Sequence, residues 1–242
     1  MYAERVTSVV ILSWVMLIAA DAREPIPIWF PPPEITVTRS LGTLERLAHI
    51  GSDDPGVYFE LSILYAQRGR WEQTQKVSFR LRQLEPNNVN GYLGEAYAWV
   101  HLRNPHKALA VCEEGIRRLR NKQHLAWLYR TKGDVLLHLF DRRNSARFLN
   151  QGEQAYRQAL QLYKNTALAW VGLARVSSWR KQWKATDQFA RESLRVARTA
   201  RERALGYYFL GKAAQLRKDS KAEEWFKKAL REHPKSFQIM RR

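Results

Sequence analysis

From Ser40 almost to the C-terminus, apolar residues recur at helical spacing, with Leu41, Leu44, Leu47 and Ala48 opening the pattern. No alternating run long enough for a strand interrupts it, so the pattern predicts an all-helical fold. Gly51-Ser52-Asp53-Asp54 before Pro55 reads as a loop entering a helix, with Asp54 at the N-cap and Pro55 at the first helical position. Upstream the texture differs. Val6–Ala20 is an apolar run, and Arg23–Thr38 carries Pro25, Pro27, Pro31, Pro32 and Pro33 among Ile26, Ile28, Trp29 and Phe30, a density that forbids a helix and favours an extended arm.

Within the helical stretch the sequence repeats. Tyr58 and Tyr92 are 34 residues apart, as are Thr74 and Ala108, and Ser78 and Cys112. Trp71 precedes Thr74, and Trp183 precedes Thr186, by the same three residues. Paired helices at this period resemble the tetratricopeptide repeat family. Five segments fit in phase: 55–88 (Tyr58, Leu61, Ser62, Tyr65, Leu81, Pro86), 89–122 (Tyr92, Ala96, Trp99, Ala108, Cys112, Gly115), 126–166 (Tyr129, Gly133, Tyr156, Ala159, Leu160), 167–200 (Trp170, Leu173, Ala174, Leu194) and 204–237 (Tyr207, Leu210, Gly211, Ala222, Phe226, Ala229, Leu230, Pro234). Two departures stand out. Glu95 occupies a position where the family has leucine, and the third segment is seven residues too long between Gly133 and Tyr156, predicting a longer helix or a protruding loop around 140–151.

The resemblance implies an all-α, right-handed α-α superhelical solenoid of about five helix pairs with terminal capping helices. Two short helices cannot bury their own apolar faces, so neighbouring pairs must stack. Gly133, Ala159, Gly211, Ala222 and Ala229 let backbones approach while aromatics fill the gaps. Residues 40–54 are expected to form an N-terminal cap helix and linker, with Phe237, Ile239 and Met240 covering the other end and 238–242 a tail.

Residues 1–22 have the layout of a secretory signal, with Ala20-Asp21-Ala22 as the cleavage pattern; a retained membrane anchor is the alternative. The apolar run is shorter than the ~20 residues of a membrane-crossing helix. Residues 23–39 then form the proline-rich arm, and the expectation is an exported, periplasmic or secreted protein. The formal net charge of +18 draws anionic partners in general, while export counts against nucleic acid as the partner. Cys112 is the only cysteine, so packing rather than disulfides must stabilise the chain. His49, His101, His106, His124, His138 and His233 show no metal-ligand spacing, and no phosphate loop or nucleophile elbow is present. Nothing in the sequence calls for an enzyme, a metal or a cofactor.

In the resembling family helix A of each repeat lines a concave groove that receives another polypeptide. That resemblance places Phe59, Ile63 and Gln67, then Asn90, Leu93, Tyr97 and His101, then Trp127, Arg130, Asp134 and His138, then Val171, Arg175 and Trp179, and finally Tyr208, Lys212 and Gln215 along the groove. Phe59 and Ile63 replace the basic, asparagine-containing carboxylate clamp of some members. Arg130, Arg175 and Lys212 would form a basic track suited to an acidic, partly apolar segment. A scaffold binding a partner polypeptide, in envelope, secretion, pilus or polysaccharide-export assembly, is one reading. The other is an envelope protein that holds an anionic polymer or membrane surface through a basic outer face, represented by Lys184, Arg191, Arg195 and Arg198 on one helix face.

Overall fold

The computed structural model describes residues 37–234, so the signal-like segment, most of the proline-rich arm and the C-terminal cap residues lie outside the described residues. The described chain is all-α. Its helices are α1 (Leu41–His49), α2 (Pro55–Gln67), α3 (Trp71–Leu84), α4 (Val89–His101), α5 (Pro105–Arg118), α6 (Lys122–Arg143), α7 (Ala146–Leu162), α8 (Ala167–Trp179), α9 (Trp183–Val196), α10 (Ala200–Leu216) and α11 (Ala222–Glu232). They fall into two compact units, one within 28–164 and the other within 165–242.

In the first unit α1 packs on α2, each helix through α7 packs on the next, and α2 also touches α4 as α4 touches α6. Alternate helices in contact are the signature of stacked antiparallel pairs: the A helices α2, α4 and α6 share one layer, and α3, α5 and α7 back them. The second unit repeats the scheme, with α8 against α9 and α10, and α10 against α11.

Local chemistry repeats with the helices. The Tyr58 hydroxyl donates to the Ser52 carbonyl at 2.8 Å and that of Tyr92 to the Pro86 carbonyl at 2.9 Å, the same bond in successive repeats. Thr74 and Thr186, both 0% exposed, donate to the carbonyls four residues back, those of Arg70 and Gln182. The buried hydroxyl is thereby satisfied at a helix start that has no side-chain cap. Asp54 caps α2 by accepting from the Gly56 amide at 2.8 Å, with Pro55 in the first turn. Arg39 binds the same carboxylate at 2.9 Å.

The turns between paired helices are also alike. After α2, α4, α8 and α10 the chain closes through one left-handed residue: Gly69, Arg103, Lys181 and Lys218, at φ 69°, 59°, 58° and 59°. In each turn that residue's amide and the next bond back to the second- and third-last carbonyls before the cap, for example Lys181 to Ser178 and Gln182 to Ser177, both at 2.9 Å. Glycine is free in this conformation, whereas a side-chain-bearing residue there costs roughly 1 kcal/mol.

The third pair departs from the rest. Residues around 140–151 do not protrude as a loop; they lengthen both helices, α6 to 22 residues and α7 to 17. The hairpin between them is closed by Asn144 in the left-handed region at φ 49°. The additional turns have their own packing, with Leu137, Leu139 and Leu149 buried and Gly152 lying close against Leu137.

Candidate functional site: the A-helix faces

In the first unit the A-helix layer carries an aromatic cluster. Tyr97 and His101, one turn apart on α4, meet edge to face at 4.6 Å, and Trp71 at the start of α3 stacks on His101 with ring centroids 3.9 Å apart and planes 13° from parallel. Trp71 also meets Tyr97 edge-on at 5.4 Å. Phe59 and Trp127 are half-buried beside the same core, and His124 lies 5.5 Å from Trp127. Asn90 is half-buried on α4. Trp71 escaped the groove assignment because it belongs to helix B; only its place as the first residue of that helix, beside the end of helix A, brings it here.

His101 keeps an exposed edge, but with Trp71 stacked on one face and Tyr97 against its side the ring loses hydration. Desolvation first, and the neighbouring His138 second, push its pKa from 6.5 down to about 4. A base with a lower pKa in the folded state binds fewer protons there than when unfolded. The stability it confers is complete above pH 6.5 and is lost as pH falls towards 4. Thermal melts of wild type and His101→Gln across pH 4–7 are expected to differ in slope in this window, with the variant flatter; parallel curves would show that the ring titrates normally.

The basic track implied by the resemblance is not solvent-facing. Arg130, Arg175 and Lys212 are only 8%, 6% and 5% exposed. Arg130 donates to Asp134 at 2.7 Å, and Asp134 accepts from the Tyr156 hydroxyl at 2.7 Å, forming a clamp between α6 and α7. In the second unit the Arg175 guanidinium sits 4.5 Å over Trp179, and the Lys212 ammonium 5.7 Å from the Tyr208 ring centre. Ile63 and Val171 are core residues, 0% and 3% exposed, and offer no side-chain surface to a ligand; Leu93, Tyr97 and Tyr208 are nearly as deep. Helical spacing places a residue around the helix axis but does not set how deeply the next repeat covers it. Gln67, His101 and Gln215 are the exposed members of the expected set.

Glu95 is explained by a second cluster. It is 4% exposed and accepts from Arg82, from Gln75 at 3.2 Å and from the Trp99 indole at 3.2 Å. Arg82 also binds Glu114 at 2.7 Å and lies 4.6 Å from the Tyr92 ring centre. Cys112 is fully buried, and desolvation raises its thiol pKa to about 12, which makes it a packing residue rather than a nucleophile. On the outer face of α9, Arg191 pairs with Asp187 at 2.6 Å and Arg195 with Glu192 at 2.9 Å, so two cations of the expected basic stripe are locally neutralised.

A comparison with protein-family models found no match, and one with curated proteins found none. Solved structures are similar in fold. The Cut9–Hcn1 hetero-tetramer of the APC/C matches with a TM-score of 0.65 at 12% identity, over 79% of this chain and 36% of that one. A thermophilic TPR protein of Thermus thermophilus, TTC0263, matches at 0.64 and 14% identity, over 77% and 95% of the two chains. PilW, described as a widely conserved type IV pilus biogenesis factor, matches at 0.58 and 12% identity, over 83% and 89%. The chain has the tetratricopeptide-repeat fold.

Proposed function

We propose that this protein is an exported, non-catalytic scaffold that binds a partner polypeptide on its A-helix faces. The observation that carries this reading is the aromatic cluster of Trp71, Tyr97 and His101 on the A-helix layer, with Phe59 and Trp127 half-buried beside it. Tyr97 is the buried base of the cluster, while Trp71, Phe59, Trp127 and His101 keep exposed area; partly covered rings combine apolar area with polar edges, which suits protein recognition. The net charge of +18 favours an acidic, partly apolar segment as the partner. Export follows from the signal-like residues 1–22, and the fold shared with a pilus biogenesis factor makes envelope assembly, including secretion, pilus or polysaccharide-export machinery, the setting we propose. An anionic polymer or membrane held on the outer face has less support, because Asp187 and Glu192 already pair with Arg191 and Arg195.

Site-specific photo-crosslinking in the native cell tests the proposal. A photoreactive residue at Asn90 or Trp127, on A helices, is expected to capture a discrete polypeptide, while one at Phe79, exposed on α3, captures little. Capture only from Phe79 would refute the A-face assignment.

A further inference from the structure

The lengthening of α6 builds a second feature, separate from the A-helix aromatic cluster. A cavity of about 320 Å³ lies between the turn joining α4 to α5 and the end of α6, lined by Arg103, Pro105, His106, Leu139 and Arg143. Leu139 and Pro105 are buried and form an apolar floor, while Arg103, His106 and Arg143 are exposed at its rim. Leu139 and Arg143 belong to the additional turns of α6, and a helix of the 13 residues found in α2, α4 and α8 would stop short of both. The cavity is therefore a product of this chain's departure from the regular repeat.

Its charges are uncompensated. By contrast, Arg39, Arg80, Arg82, Arg130, Arg157, Arg191, Arg195, Arg203 and Arg217 each pair with a carboxylate at 3.0 Å or closer. Neither the Arg103 nor the Arg143 guanidinium has a hydrogen bond or ion pair among the described residues, and the residues lining the cavity include no acid. Two planar guanidinium forks and an imidazole around one cleft present donors matched to the oxygens of a carboxylate or phosphate. The volume falls at the lower end of the ~300–1,000 Å³ that holds small organic ligands, and the Leu139–Pro105 floor suits an apolar body rather than a bare ion.

The geometry points to a binding site for a small organic anion, its carboxylate or phosphate held between Arg103 and Arg143 with His106, and its apolar part resting on Leu139 and Pro105. The site does not depend on the partner-binding reading.

Titration calorimetry on the full chain with phenyl phosphate, benzoate and inorganic phosphate provides the test. Phenyl phosphate, benzoate or both are expected to bind at one site, and the tighter of the two identifies the head group. Arg103→Ala and Arg143→Ala should each weaken that binding by about tenfold or more, as loss of a charge-assisted hydrogen bond does. The double variant Arg117→Ala/Arg118→Ala, which removes two exposed charges at the far end of α5, should leave it unchanged. Circular dichroism confirms that each variant is folded. No saturable binding of either aromatic anion would overturn the site. Equal losses in the α5 control would reduce it to the general positive field, and inorganic phosphate binding as tightly as phenyl phosphate would remove the role of the apolar floor.

Discussion

Glu95→Leu is expected to destabilise the 28–164 unit by about 3 kcal/mol, even though leucine is the residue the repeat pattern expects at that place. Glu95 is buried and gathers three donors, from Arg82, Gln75 and Trp99. Leucine would leave those donors without an acceptor and half of the Arg82 guanidinium without its counter-charge. Breaking a buried pair from one side costs about 3–5 kcal/mol; the lower end applies because Glu114 still holds the other half of Arg82. Removing both partners is a different matter, since apolar residues of similar volume can replace a buried pair at little cost. The double variant Arg82→Met/Glu95→Leu should therefore recover at least half of the loss. Urea denaturation of the single and double variants gives the coupling directly. Additive losses would mean that the two side chains act independently.

Gly133→Val should cost about 3 kcal/mol, for a steric reason. A Cβ on Gly133 would stand 2.7–2.9 Å from three ring atoms of Tyr156, closer than side-chain carbons pack. The ring cannot step aside: it is 0% exposed, and its hydroxyl is tied to Asp134, which Arg130 holds in turn. Overpacking of a filled core costs about 1–3 kcal/mol, and the tether places this site at the upper end. Shortening the obstacle should reverse the effect, so Gly133→Val/Tyr156→Leu is expected to be more stable than Gly133→Val alone by denaturant midpoint. An unchanged midpoint would show that α6 and α7 separate freely at this contact. Gly211 faces Phe226 in the same way, with the nearest ring atom at 2.6 Å.

The helical class and the repeat were legible because both are periodic. Tyr58 and Tyr92 stand one period apart and make the same hydrogen bond, and Thr74 and Thr186 close the same turn in α3 and α9. Depth was not legible. Arg130, Arg175 and Lys212 were expected in an open groove, yet neighbouring side chains cover them, and Ile63 belongs wholly to the core. The site's Trp71 was hidden because the cluster draws on two helices, and a helix-by-helix assignment treats them separately. Glu95 was visible as a misfit, but its three partners come from α3 and α4 together and only the folded chain assembles them. The additional residues of the third repeat were visible as a gap in phase; that they would continue both helices, and so create the Arg103–Arg143 cavity, required the structure.

Because the helix contacts within each unit join elements one or two places apart in the chain, little loop entropy must be lost before packing begins. Low contact order of this kind is associated with fast folding, and in a repeat stack any pair can serve as the starting point. For a polypeptide appearing from its N-terminus, α2 and α3 already hold most of their contacts once α4 has emerged, and α4 and α5 theirs once α6 has followed. Folding can thus keep pace with emergence, and the apolar surface waiting for a partner at any moment is that of a single helix pair.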